Sequence, residues 1–353
     1  MRNFIKKIIF RNKRNGISIG HEVRKYSDVI LHEVKLADSI LLHCHPSPDP
    51  DSVGSALAMK FVLESMGKKV TVIAGDSEIP KGFMHFPGAE DIVKKNIFEV
   101  DIKAFDLFIS VDAASLEQIS KKGKVTVSES IKVINIDHHA TNTRFGAINL
   151  VETSYPACAQ VLYELFLEWR VKMTREIAEN LFMGIYTDTV EFRTPLTTPK
   201  TLLIASKLME NISGVEALLS RMENSETKEH VKYVGLMLNS TEAYFDNKIA
   251  ISSIDLETLN RHAITRNDIS GHHISALMRS VADWEVLIAM TEVEPNKIKV
   301  STRSKDANKY DVSKLAEALG GGGHKAAAGI LMLMSLEEAK KMLISKAKEL
   351  FKL

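Results

Sequence analysis

From Ser39 to about Met209 short apolar runs alternate with helix-like segments, and this alternation constrains the fold more than any single residue does. Such runs, bounded by turns and separated by amphipathic stretches, read as parallel strands joined by crossover helices. Strands are expected at Ile40–His43, Val70–Ala74, Leu107–Val111 and Val133–Ile136, and helices at Val53–Met66, Ala157–Trp169 and Arg175–Thr187. In the first of these helices Leu57, Phe61 and Met66 recur near one face at roughly 3.6-residue spacing. The short connections favour an α/β fold with a doubly wound, mainly parallel sheet.

At 353 residues the chain exceeds what one hydrophobic core usually supports, so two domains are expected. The stretch Arg221 to His230 is charged and lacks apolar periodicity beyond its first residues, which marks residues 221–235 as the linker. The first domain then covers 21–220 and the second 236–353. In the second, strands at Ile249–Ile254, Trp284–Thr291 and Ile298–Thr302 surround a helix near Ile274–Val281. Helices at Asp311–Leu319 and Leu336–Phe351 complete a smaller α/β unit.

Composition narrows the function. Lys plus Arg total 46 against 45 for Asp plus Glu, a net charge of +1, so the chain lacks the positive field of proteins that track long duplex DNA. A nucleic-acid substrate should be short. The two cysteines, Cys44 and Cys158, imply no disulfide framework and suit a reducing, cytoplasmic setting. Apolar runs such as Ser39–Leu42 and Gly329–Met334 fall well short of the roughly 20 residues that span a bilayer. Residues 1–20 form a basic extension, with Arg2, Lys6, Lys7, Arg11, Lys13 and Arg14 interleaved with Phe4, Ile5, Ile8, Ile9 and Phe10. A solvated tail, a contact with membrane or nucleic acid, and a targeting peptide are its three readings.

Four strand or helix ends carry side chains that bind metals. The first run ends in His45-Pro46-Ser47-Pro48-Asp49-Pro50-Asp51, where open α/β sheets bind ligands. Taken alone, this segment is equally a turn with a capped helix. Leu107–Val111 ends in Asp112, Val133–Ile136 in Asp137-His138-His139, and an apolar helix in Asp188. Single acids at strand ends are commonplace turn residues; four convergent endings in one sheet are not. Phosphoryl transfer needs its charge neutralised and a nucleophile generated near neutral pH, and two cations about 3.5 to 4 Å apart do both. Asp and His without thiolate suit Mn²⁺, with Mg²⁺ or Co²⁺ as substitutes. Strand alternation sends Cys44 to the face opposite His43 and His45, which reads as packing, and parity does not choose between the two histidines.

Together these motifs resemble the DHH phosphoesterase superfamily, whose name-giving triplet is Asp137-His138-His139 here. Its N-terminal motif, H-x-x-P-D-x-D, puts His45 in register with Asp49 and Asp51. The resemblance implies that His45 and Asp49 bind one metal and Asp51, His138 and Asp188 the other. Asp112 would bridge them, His139 would face the scissile phosphate, and Asp137 would orient its neighbours.

The later segment Gly320-Gly321-Gly322-Gly323-His324 is similar to that of a DHHA1 substrate-binding domain, and the order of the two resembles NrnA-like oligoribonucleases and pAp phosphatases. One glycine caps a helix; four in a row, unless a flexible hinge, leave backbone amides open to a ligand. The resemblance gives Gly321, Gly322, Gly323 and His324 the terminal nucleotide and Arg303 a phosphate, with the active site in the interdomain cleft. It implies hydrolysis of nanoRNA, linear dinucleotides such as pApA, or adenosine 3′,5′-bisphosphate. An inorganic pyrophosphatase or exopolyphosphatase is the alternative enzyme, a non-catalytic nucleotide sensor the alternative class, and a homodimer is left open.

Overall fold

The computed structural model describes residues 13–14, 16–44, 48–75, 79, 81–126, 131–223, 227–269 and 272–353. The chain divides into two units, one ending at Ser225 and the other beginning at Glu226. Among the described residues no helix is long and apolar enough to cross a membrane.

In the first unit, strands β1 (Ser39–His43), β2 (Lys69–Ile73), β3 (Leu107–Val111), β4 (Lys132–Asp137) and β5 (Ile148–Val151) form one sheet in the order β2-β1-β3-β4-β5. Every pairing is parallel. All five residues of β3 are buried, as expected for a central strand covered on both faces. The chain steps from β1 to β2 on one side and returns to β3 on the other. A switch point therefore lies at the carboxyl ends of β1 and β3, where such sheets open a crevice.

Alternate strand residues build two different layers. Ile40, Leu42, Ile109, Ile134 and Ile136 pack against helices α1 (His21–Leu36), α2 (Pro50–Ser65), α3 (Cys158–Glu168), α4 (Arg175–Asp188), α5 (Pro199–Met209) and α6 (Val215–Glu223). Leu41, Phe108 and Val133 face the other way, where Ile97, Ile102, Leu116 and Ile119 from short 3-10 turns and their flanks cover them. Turns, not long helices, therefore close that face.

The second unit holds a six-stranded sheet. Its strands are β6 (Glu242–Tyr244), β7 (Ile249–Ile254), β8 (Val286–Glu294), β9 (Lys297–Ser304), β10 (Gly322–His324) and β11 (Ala327–Met332), in the order β10-β11-β9-β8-β7-β6. Among the described residues β7 and β8 pair in parallel and the other neighbours antiparallel. Helix α7 (Lys228–Asn239), the short α8 (Leu256–Arg261) and α9 (His272–Arg279) serve one face, and α10 (Val312–Ala318) and α11 (Leu336–Phe351) the other. Helix α7 begins inside the charged stretch read as a linker. Its amino end is capped by the Thr227 hydroxyl, and His230, Tyr233 and Met237 face inward.

The glycine run is not an open loop either. Gly320 closes the turn after α10 with φ +80°, and the Gly321 amide donates to the Ala316 carbonyl at 2.7 Å. Gly322–His324 then pairs antiparallel with β11. A Cβ on Gly321 would lie 2.2 Å from the Gly329 carbonyl, and one on Gly323 would lie 2.5 Å from Ala328 Cα, whereas one on Gly322 would meet nothing within 4 Å. Three of the four glycines thus have a structural cause, and Gly322 has none.

Helix α2 crosses α4 at glycine contacts. A Cβ on Gly54 would sit 2.4 Å from the Asn180 carbonyl, and one on Gly184 would sit 2.6 Å from Asp51 Oδ1. Backbone cannot yield as a flexible side chain would, so Gly54→Ala should destabilise the first unit by about 1–3 kcal/mol through overpacking. Urea denaturation checks this; an unchanged midpoint would contradict it.

Candidate metal centre

Asp49 caps α2, accepting the Ser52 amide at 2.9 Å, and Pro50 occupies the first helical position. Asp51 lies in the first turn and is almost fully buried. Its Oδ2 accepts the Cys158 amide at 2.6 Å, and its Oδ1 accepts the Ala159 amide at 2.9 Å and the Ser55 hydroxyl at 3.2 Å. The first turn of α3 therefore points two amides at this carboxylate, where a helix amino end favours negative charge. Gly184 supplies the space.

Asp112 follows β3 with φ +54°, a left-handed conformation that aspartate tolerates better than most residues. Its amide donates to the Ile136 carbonyl at 2.9 Å, fastening the end of β3 to β4. Its Oδ1 stands 3.4 Å from His138 Nε2 and 3.8 Å from His139 Nδ1.

His138 and His139 follow β4. His138 Nε2 lies 3.4 Å from Asp188 Oδ2, at the carboxyl end of α4, and 3.9 Å from Asp51 Oδ2. Its Nδ1 lies 3.2 Å from the Tyr155 carbonyl oxygen. His139 Nδ1 is 2.7 Å from Asp137 Oδ1, while Asp137 Oδ2 accepts from Asn142 Nδ2 at 2.5 Å. Asn142 Nδ2 also reaches Asn135 Oδ1 at 2.8 Å.

Two overlapping groups result, each with ligand atoms within 4.8 Å of one another: Asp51, His138 and Asp188, and Asp112, Asp137, His138 and His139. Asp49 belongs to neither. His45 lies outside the described residues. His43, the alternative by strand parity, is buried on the other sheet face, with Nε2 2.9 Å from the Ile119 carbonyl oxygen and its ring edge-on to Phe108. Cys44 packs against the helices, and burial followed by the Asp49 charge pushes its thiol up to about 12. Arg303 lies on β9 and Gly321–Gly323 around β10, all in the second unit. The His324 backbone belongs to β10, and its side chain lies outside the described residues. The sequence reading missed the Tyr155 carbonyl, the Cys158 and Ala159 amides, and Asn142. Only a glycine inside α4, Gly184, signalled that something close must pass.

The electrostatics show what this arrangement favours. Burial, then the charges of Asp51 and Asp49, raise Asp112 well above the usual carboxylate range. Asp51 is raised chiefly by burial, and Asp188 is pushed up to about 7 by burial and then by Asp51. Burial disfavours the charged His138 ring, yet Asp51 and Asp188 outweigh it and raise its pKa. Crowded carboxylates that repel one another in a buried site fit bound cations, and oxygen and imidazole donors without thiolate fit hard or borderline divalent ions. These side chains could together hold a metal ion.

With chelator present, Asp188 binds its proton more tightly folded than unfolded, since about 7 lies above its ordinary 3.8. Stability of the metal-free protein should therefore fall as pH rises between those values. Asp188→Asn should flatten that dependence and raise the melting temperature at pH near 8. Thermal unfolding across pH checks it, and identical slopes for both proteins would contradict it.

Residues 39–185 match the DHH family, N-terminal domain, and residues 246–353 match the DHHA1 domain. The bifunctional oligoribonuclease and PAP phosphatase NrnA of Bacillus subtilis (strain 168) is 28% identical over 320 residues, covering 89% of this chain and 95% of that protein. Its namesake in Thermus thermophilus is 28% identical over 311 residues, covering 88% and 89%. An exopolyphosphatase-related protein from Bacteroides fragilis, solved by crystallography, superposes with a TM-score of 0.86 at 22% identity, covering 97% of this chain and 100% of that one. At that identity the likeness shows a shared fold. Two matched domains in this order, with the Asp–His cluster seated at the carboxyl edge of the first sheet, place the chain in the DHH phosphoesterase superfamily of hydrolases, among members that carry a DHHA1 domain.

Proposed function

We propose that this protein is a Mn²⁺-dependent phosphoesterase that hydrolyses short ribonucleotide substrates: RNA fragments of a few nucleotides, linear dinucleotides such as pApA, or adenosine 3′,5′-bisphosphate. The observation that carries this reading is the meeting of Asp51, Asp112, Asp188 and His138 at the switch point of a parallel sheet. Two relatives named as bifunctional oligoribonuclease and PAP phosphatase, similar along most of their lengths, favour this substrate class.

In this reading Asp51, His138 and Asp188 would hold one cation, His45 and Asp49 would hold a second, and Asp112 would serve both. Bound there, such cations would neutralise charge on the phosphate and make water nucleophilic near neutral pH. The chain's own residues supply the rest. Asp137 fixes His139 through Nδ1, so the other ring nitrogen is left for the scissile phosphate. Burial works against the charged His139 ring, but Asp137 and Asp112 outweigh it, so a proton is available to donate.

In the second unit Arg303 donates to the Ser301 hydroxyl at 3.2 Å and the Thr302 carbonyl at 2.9 Å. It makes no ion pair among the described residues. Burial and then Arg279 hold its pKa below the ordinary guanidinium value, a setting that a phosphate would relieve. Gly322, with open space where a side chain would stand, is the glycine best suited to a ligand's approach. Gly321, Gly323 and His324 shape the same hairpin around it.

An inorganic pyrophosphatase or exopolyphosphatase is the competing enzyme, and the DHHA1 match over 246–353 weighs against it, because a nucleotide gives that domain something to recognise. A sensor without catalysis would bind a dinucleotide with no turnover. A product time course on di- to pentaribonucleotides, pApA, the bisphosphate and pyrophosphate, each with Mn²⁺ and with chelator, separates these readings. Release from the ribonucleotides in Mn²⁺ alone is expected; release from pyrophosphate alone would sink the proposal.

Asp112→Ala should abolish hydrolysis and lower the bound metal, and substantial turnover at unchanged metal content would refute the shared-ligand role. Gly322→Ala should keep the melting temperature and raise KM roughly tenfold, the scale of one misplaced methyl in a binding site. An unchanged KM would remove Gly322 from the substrate path.

A further inference from the structure

A second buried polar cluster lies directly behind His138. Glu164 of α3 is fully buried. Its Oε1 is 2.6 Å from Lys200 Nζ, and its Oε2 accepts from the Tyr155 hydroxyl at 2.8 Å and the Gly20 amide at 2.7 Å. Lys200 Nζ also donates to the Tyr155 hydroxyl at 2.5 Å and sits 4.6 Å from the centroid of its ring. A Cβ on Gly20 would fall 2.4 Å from the same hydroxyl, so the cluster is closed on that side too. Burial raises the Glu164 pKa, against which Lys200, Gly20 and Tyr155 all pull. A buried ion pair is a weak source of stability, because desolvation consumes most of the Coulombic gain.

Its connection to the metal centre is one residue long. The phenol of Tyr155 ends in this cluster, its amide donates to the Glu152 carbonyl at 3.2 Å, and its own carbonyl oxygen lies 3.2 Å from His138 Nδ1. The phenol and the amide hold Tyr155 at two points, and Pro156 after it narrows the ψ that aims the carbonyl. A carbonyl oxygen accepts only, so the Nδ1 facing it carries a proton, and in the neutral ring the Nε2 lone pair faces Asp51, Asp112 and Asp188.

We propose that Glu164 and Lys200 are positioning residues for His138, acting through Tyr155 to fix the imidazole in the Nδ1–H tautomer. The inference rests on reading Asp51, His138 and Asp188 as a metal site. It adds that the geometry of this site is set from α3 and α5, by residues that touch neither metal nor substrate.

Two measurements on the full chain test it. Long-range ¹H–¹⁵N correlation of the metal-free protein, at a pH where the ring is neutral, reports the His138 tautomer. Calorimetric titration with Mn²⁺ alone reports affinity. Wild type should show Nδ1–H only. Glu164→Gln and Lys200→Met should show mixed tautomers and Mn²⁺ binding weakened about tenfold, the lower end for loss of such a partner, and Lys200→Arg should recover both. Glu179→Gln serves as the control, since Glu179 of α4 is 2% exposed and pairs with Arg175 of the same helix and Arg221 of α6. It should lower the melting temperature and change neither readout. Should Glu164→Gln fail to fold, Lys200→Met decides. Wild-type tautomer and affinity in Lys200→Met would overturn the proposal. Absence of Mn²⁺ binding in wild type would instead remove the metal site, while the tautomer comparison still judged the positioning.

Discussion

The structure is organised around buried carboxylates that repel one another. Asp51 and Asp112 are almost fully buried, and the charge of Asp51 raises both Asp112 and Asp188 beyond what burial alone does. Left uncompensated, such a cluster works against folding, and the chain spends helices, glycines and backbone strain on keeping it together. Two amides at the start of α3 fix Asp51, a left-handed residue places Asp112, and the end of α4 brings Asp188. Glycines at 54 and 184 let α2 lie against α4 closely enough for this to happen.

The sheet makes the convergence possible. Because the chain leaves β1 in one direction and enters β3 in the other, the carboxyl ends of adjacent strands open a crevice that crossover helices do not cover. β3 and β4 each deliver a ligand type there immediately after their last paired residue, Asp112 and His138. Behind this edge, hydrogen bonds set the imidazoles: Asp137 and Asn142 serve His139, and the Tyr155 carbonyl serves His138. The orientation of these candidate ligands is therefore set by the scaffold as much as by the side chains themselves.

Much of this was legible in the sequence where burial is symmetric. Leu107–Val111 is apolar throughout because both sheet faces are covered, and its end at Asp112 can be read directly. Helix α1 carried a weaker signal: Val23, Ser27, Ile30 and Val34 point inward from a surface otherwise rich in charge. Helix α7 was masked by a charged first turn, although Thr227 and the spacing of His230, Tyr233 and Met237 mark it. The glycine run carries two readings at once, since a β-hairpin packed against its own backbone needs glycine as much as a ligand loop does. His43 and His45 share a strand parity. His43 is accounted for by Ile119, a residue 76 positions away, which no local pattern reveals. The role of Tyr155 was illegible because it is played by a carbonyl oxygen, which every residue has.

The central claim is that the chain gathers its acids to hold two cations through a shared Asp112. Crystals grown with Mn²⁺ and measured for anomalous scattering at the manganese edge test it most directly. Two peaks about 3.5 to 4 Å apart are expected, with one Asp112 carboxylate between them and His138 Nε2 on one. A single peak, or peaks away from Asp51, Asp112 and Asp188, would contradict it.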